Sequence, residues 1–356
     1  MKGFRFVALL LALTLCMGGM SALAEADQPY AGTTITVYNW YDYIDPTVID
    51  MFTEKTGINV QYVNFTTNEE MYTKLEAGAG SYDVLFPSDY IIERMIANDE
   101  LAPLDLSAMP NVAGLIDWLK TPDYDPEGAY SVPYMWGTVG ILYNTNLVDE
   151  EITSWKQIFD PKYQNGVYML NSVRDTLGVT LKMLGYSMNT REEEALNAAK
   201  DALIQQKADG IVAGYMVDEV KDKMIAGEGA MAVMWSGDAA YSIYESEGDY
   251  LKYVVPEEGS NVWVDAMCIP KDSKNIGAAQ AFIDFMCDPE IAYLNQQYIY
   301  YCTPIEAAKN MMTEEELAAE ELNPSDESVG RCEFFHDISE YADLYEEIWM
   351  EIRMAG

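Results

Sequence analysis

Residues 33–65 read TTITVYNWYDYIDPTVIDMFTEKTGINVQYVNF, and the order of signals in that stretch decides the fold. Thr34 to Asn39 alternates in strand fashion, with Ile35 and Val37 on one face. Asp45-Pro46 then opens a helix, the acid as its cap and the proline in its first turn, and Gly57 ends it. Ile58, Val60 and Tyr62 alternate again. A strand, a helix and a strand in succession imply a parallel pair with a right-handed crossover, so the expected fold class is α/β.

Working outward, the pattern continues and then breaks. Thr67-Asn68-Glu69-Glu70 reads as a capping box, Tyr82–Phe86 as a short strand ending at Pro87-Ser88, and Asp89 to Asn98 as a helix. Thr121–Ser131, rich in Pro, Asp and Gly, is loop. Val132–Asn144 is extended and is the first candidate for a crossing between domains; Val262–Ile269 is the second. Thr190-Arg191-Glu192-Glu193 caps a long helix, Ala230–Trp235 is a strand, and Asp288-Pro289 opens a further helix. Thr313-Glu314-Glu315-Glu316 opens an acidic surface helix, and Asp337–Met354 forms the last amphipathic one. The chain shows no fixed-period repeat.

The 356 residues carry 59 Asp and Glu against 21 Lys and Arg, a formal charge of −38. At about 100–200 residues per domain, that length suggests two domains. Hydrophobic residues make up 49%, enough for real cores, which excludes global disorder despite the charge. So large an acidic excess repels phosphate backbones and anionic lipid, and argues against nucleic acid or a membrane surface as partner. It suits a cationic partner, and equally plain solubility.

Residues 1–24 read as an export signal: Lys2 and Arg5, the apolar run Phe6 to Leu15, then small residues closing on Ala22-Leu23-Ala24. That run is shorter than the roughly 18 apolar residues that span a bilayer, so the mature chain is expected to be soluble and extracytoplasmic. Cys16 follows Leu15 rather than a small residue, which favours cleavage after Ala24 over a lipid anchor on Cys16. Of the other cysteines, Cys302 and Cys332 are the expected pair if a disulfide forms. With no C-x-x-C and a single histidine, His336, there is little material for a zinc or haem site or for Ser-His-Asp chemistry.

Aromatic residues fall beside carboxylates at strand ends. Trp40-Tyr41-Asp42-Tyr43 follows the first strand and Ser88-Asp89-Tyr90 the third; Trp235-Ser236-Gly237-Asp238 and Trp263-Val264-Asp265 repeat the pairing. In open parallel sheets ligands bind beyond the carboxyl ends of strands. A ring wall with carboxylates at intervals suits a flexible aliphatic polyamine: methylenes lie on ring faces, and ammonium groups gain cation–π attraction and paired charges. Any one Trp at a strand end is commonly core packing, and an Asp after it can cap a helix. Four such clusters are harder to assign to packing alone.

The sequence resembles the periplasmic spermidine/putrescine-binding proteins of ABC transporters. The segments that carry the likeness are Tyr38-Asn39-Trp40-Tyr41-Asp42-Tyr43, Tyr82-Asp83-Val84-Leu85-Phe86-Pro87-Ser88, Ser131-Val132-Pro133-Tyr134-Met135-Trp136-Gly137 and Trp263-Val264-Asp265. The resemblance implies two α/β lobes, 25–136 plus 264–304 and 137–263 plus 305–356, hinged around a ligand cleft. It implies an exported monomer, neither enzyme nor cofactor-dependent, that captures putrescine or spermidine and hands it to permease subunits. It gives ring-wall roles to Trp40, Tyr43, Trp235, Trp263 and Tyr301. Carboxylate roles go to Asp42, Asp175, Asp238 and Asp265, with Ser88 and Tyr90 as second-loop contacts and Arg174 beside Asp175. Ser172 stands where spermidine-selective members often carry an acid, and Phe335 near where they carry Gln, which leans toward a mixed or putrescine-tolerant site. Two other classes stay open on the residues alone: a hydrolase using two clustered acids, and the same scaffold binding a different solute.

Overall fold

The computed structural model describes residues 28–78 and 80–355; the stretch 1–24 read as an export signal, with Cys16, lies outside them. β1 (Thr34–Trp40), α1 (Pro46–Thr56) and β2 (Asn59–Phe65) form the expected unit, with β1 and β2 parallel from Thr34↔Asn59 to Trp40↔Phe65. Asp45 accepts the Thr47 N–H at 2.9 Å, and Gly57 closes α1 at φ 71°, a left-handed conformation that glycine adopts without Cβ strain. α2 (Asn68–Glu76), β3 (Val84–Leu85) and α3 (Asp89–Ala97) follow. Thr67 caps α2, but the other half of the capping box is displaced: Glu70 accepts from the N–H and hydroxyl of Thr66 rather than from the Thr67 N–H.

β4 (Ser131–Asn144) is the long extended run. After it come β5 (Val167–Leu170), α4 (Val173–Met183), α5 (Glu193–Ala208), β6 (Val212–Met216), α6 (Glu219–Ile225), β7 (Met231–Trp235) and α7 (Ser236–Glu245). β8 (Leu251–Val254), β9 (Val262–Cys268), α8 (Ile276–Met286) and α9 (Pro289–Ile299) complete the labelled elements. Strand order is β2-β1-β3-β9-β4-β7-β5-β6, with β8 on β4. β4 pairs antiparallel with β9 over Ser131–Thr138, then with β7 over Val139–Tyr143. One strand thus runs from one sheet into the other.

Each sheet has a core on both faces, which gives two lobes. Ile35 and Val37 of β1 pack with Val48, Phe52, Phe282 and Ile291 from α1, α8 and α9. Tyr38 on the opposite face packs with Met71, Ile91 and Ile92 from α2 and α3. In the second lobe, Val139, Met231 and Val233 meet α4, α5 and the C-terminal helix Ala342–Met354, while Leu142, Ala232 and Met234 meet α6 and α7. Burial on both faces accounts for strands that read as nearly continuous apolar runs. Ile305 and Ala308 pack into the first lobe's core. Phe334 packs against that lobe and its neighbour Phe335 lies in the second, so the chain crosses a third time there.

Three expectations are corrected. The long helix begins at Glu193 with Glu192 at its cap position, and Thr190 instead accepts the Glu192 N–H at 3.3 Å. The last helix begins at Ala342 because α3 grips Asp337: its carboxylate accepts from Arg94 Nη2 at 2.7 Å, and its N–H donates to Glu93 at 2.7 Å. Cys302 and Cys332 are free thiols; Cys332 donates instead to the Ser328 carbonyl at 3.2 Å. Among the described residues, no helix is long and apolar enough to cross a membrane, and no group of three or more His, Cys, Asp or Glu is placed to hold a metal ion.

Candidate functional site

The carboxyl ends of two parallel pairs, β1 with β3 in one sheet and β5 with β7 in the other, meet where β4, flanked by β9, passes from one sheet into the other. On the first-lobe side the centre is Asp265 of β9, 7% exposed. Ser88 sits at the cap position of α3, yet its hydroxyl makes no cap; it donates to Asp265 at 2.6 Å. Tyr43 is buried and turns toward Asp265, and its hydroxyl has no hydrogen-bond partner among the described residues. Burial pushes the Asp265 carboxyl up to about 6, with Ser88 and Tyr43 acting against the rise. Trp263, two residues earlier in β9, stands edge-on to Tyr301 with ring centroids 4.8 Å apart. Tyr43 meets Tyr301 at 6.0 Å. The Trp263 indole N–H is buried and unpaired. Trp40 is tied in by its indole N–H, which donates to the Phe86 carbonyl at 2.8 Å.

The second-lobe side follows the ends of β5 and β7. Asp175, in the first turn of α4, accepts from the Ser172 hydroxyl at 2.6 Å. Burial raises its carboxyl; Ser172, the Arg174 charge and the adjacent Trp235 indole oppose that. Asp238, in the first turn of α7, faces Lys221 Nζ at 3.2 Å and is likewise raised by burial, opposed by Lys221 and Tyr301. Tyr301 lies so close to α7 that a Cβ on Gly237 would fall 2.3 Å from its ring. This ring therefore stands between Asp238 and Asp265, and both carboxylates push its hydroxyl well above the usual phenol range, after burial. Among the described residues, Arg174 pairs with no carboxylate. It donates to the His336 carbonyl and to Asn189, and its guanidinium lies 4.3 Å from the Phe335 ring centroid and 5.5 Å from that of Tyr90.

The structure thus puts Tyr43, Ser88, Trp263, Asp265 and Tyr301 in one cluster, joined by Asp238 through Tyr301. Asp175 and Trp235 form a second pair. Tyr90 bridges the lobes under Arg174. Asp42 stands apart: it is exposed, at φ 49°, and its charge is felt by Tyr62 of β2.

The sequence pattern of bacterial extracellular solute-binding proteins matches residues 47–324. This chain belongs to that family. The solute-binding protein is 31% identical over 337 residues to the spermidine/putrescine-binding periplasmic protein of Salmonella typhimurium, covering 94% of each chain. It is 32% identical over 351 residues to the putrescine-binding periplasmic protein SpuD of Pseudomonas aeruginosa, again with 94% of each covered. Among solved structures, it superposes with a TM-score of 0.81 and 36% identity on the spermidine/putrescine ABC transporter substrate-binding protein PotD of Streptococcus pneumoniae, covering 91% of this chain and 99% of that one.

Three residues of the candidate site were given no individual role in the sequence reading. Asn68, read only as part of a capping box, donates to both the Ser88 hydroxyl and the Tyr90 hydroxyl at 3.0 Å and so aligns the second loop. Asp89 is buried and accepts from the N–H groups of Tyr90 and Val264; burial, then its neighbour Asp265, lifts its carboxyl to about 8. Its place in Ser88-Asp89-Tyr90 was a signal that pointed to it. Lys221 lies in a helix with no aromatic-acid pattern, and nothing local marked it.

Proposed function

We propose that this solute-binding protein works outside the cytoplasm, where it captures putrescine or spermidine and delivers it to the permease of an ABC transporter. The observation that carries the proposal is Asp265: a buried carboxylate ringed by Tyr43, Trp263 and Tyr301, with a serine hydroxyl as partner and no cation of the protein within ion-pair distance among the described residues. A desolvated carboxylate in that setting calls for a cation, and the rings suit an ammonium on an aliphatic chain. Trp40 and Trp235 extend the ring wall; Asp175 and Asp238 offer further carboxylates, Ser88 and Tyr90 polar contacts, and Asp42 an acid at the exposed rim. The binding functions in the names of the relatives point the same way. Lobe closure would turn on β4, β9 and the crossing at Phe334–Phe335, with the protein acting as a monomer.

Isothermal calorimetry with putrescine, cadaverine, spermidine and spermine tests this directly. Asp265→Asn leaves a bound ammonium desolvated without its partner, a loss of about 3 kcal/mol or more, so affinity should fall at least about 100-fold. A wild-type protein that binds none of the four amines refutes the proposal; equal affinity in the variant refutes the role of Asp265.

A further inference from the structure

Asp238, half-buried, differs from the buried carboxylates Asp175 and Asp265 in its partner. Asp175 and Asp265 each hold a serine hydroxyl at 2.6 Å. Asp238 holds an ammonium of the protein's own, Lys221 Nζ at 3.2 Å. Lys221 reaches over from α6, passing 5.8 Å from the Tyr241 ring centroid and touching the exposed Asp218 at 3.3 Å. The pair is reachable from solvent, with side chains 24% and 19% exposed, while Asp238 also abuts Tyr301, whose other acidic neighbours are Asp265 and, more weakly, Asp218.

A lysine ammonium and the end of a polyamine are the same chemical group, a primary ammonium with three N–H donors. Held on a side chain, it faces Asp238 at an effective concentration of millimolar or above and competes with any dissolved amine. Resting on the polyamine reading above, we propose that Lys221 is a specificity-determining residue: it occupies Asp238 with a tethered ammonium and thereby limits the slot to ligands with two ammonium groups. A trication must either displace Lys221 or leave its third ammonium in water. Among the described residues no cation lies within ion-pair distance of Asp175: the N–H groups of Arg174 that are engaged go to His336 and Asn189.

The experiment is calorimetry with putrescine and spermidine on wild type, Lys221→Met, Lys221→Gln, Lys221→Arg and the double variant Lys221→Met/Asp238→Asn. Freeing Asp238 should raise the ratio Kd(putrescine)/Kd(spermidine) about tenfold in both uncharged variants, the gain from one added partly buried charge pair. Lys221→Arg, which keeps the cation, should stay near wild type, and the double variant should return there. Ratios within about twofold of wild type in both uncharged variants overturn the inference, as does a double variant that keeps the shift. A wild-type protein that binds neither amine refutes the polyamine reading itself, and the inference with it; normal wild-type binding with an unmoved ratio refutes the inference alone.

Discussion

Asp265 is where binding and stability pull against each other. Burial lifts its carboxyl from 3.8 to about 6, so between those values the folded chain holds a proton that the unfolded chain has already lost. Stability therefore falls as pH rises through that window, and above it the folded state carries the full penalty of a buried charge, about 3 kcal/mol by the size of the shift. Asp265→Asn removes that penalty while keeping an oxygen for the Ser88 hydroxyl. The amine-free variant should melt higher than wild type at neutral pH and converge with it below the ordinary carboxyl value of 3.8; scanning calorimetry across that range checks it. In wild type, amine affinity should fall about tenfold per unit as pH drops below about 6, because only the carboxylate pairs with ammonium. A variant that melts lower at neutral pH would show that the charge is not the strained element. The pairing of Trp263 with Asp265 was legible because β9 alternates and puts them on one face. The Ser88 contact was not: cap statistics assign a serine there to its own helix, and its actual partner lies 177 residues away.

At the scale of elements, α7 joins the two halves of the site. Trp235 precedes it, Asp238 is in its first turn, and Gly237 leaves room for Tyr301. Helix propensity alone favours alanine over glycine inside a helix by about 1 kcal/mol. The contact argues the other way: a Cβ 2.3 Å from the Tyr301 ring forces that ring or the helix to move, and overpacking of this kind costs about 1–3 kcal/mol. The second effect wins, and it falls on the ring between Asp238 and Asp265. Gly237→Ala should keep its far-ultraviolet circular dichroism and lose about tenfold or more in amine affinity, while Gly214→Ala on β6, where the nearest atoms belong to the flexible Met216, serves as control. Unchanged affinity would mean that Tyr301 is not a wall. Elements with local punctuation, such as Asp45-Pro46 to Gly57, were read nearly residue for residue. Elements bounded by distant partners were not; the last helix starts late because Arg94 and Glu93 hold Asp337.

For the whole molecule, the two long crossings were visible as extended apolar runs, whereas the crossing at Phe334–Phe335 depends on two adjacent rings choosing different cores and leaves no periodic trace. Net charge is legible at once, and at this scale it governs capture rather than fold. With a formal charge of −38, the chain draws a polycation through the surrounding solution before any contact forms. Such steering can raise association rates by about 10–1,000-fold and is screened as the Debye length shrinks from about 30 Å at 0.01 M salt to about 3 Å at 1 M. Contacts inside the closed slot are shielded from that salt, so dissociation should respond far less. Stopped-flow measurements of tryptophan fluorescence should therefore show an association rate that falls steeply with ionic strength beside a nearly constant dissociation rate. The fall should be steeper for spermidine than for putrescine, since the long-range force scales with ligand charge even where Lys221 limits what the slot finally holds. Association rates flat across that range, or equal slopes for the two amines, would mean that the acidic excess serves solubility and not capture.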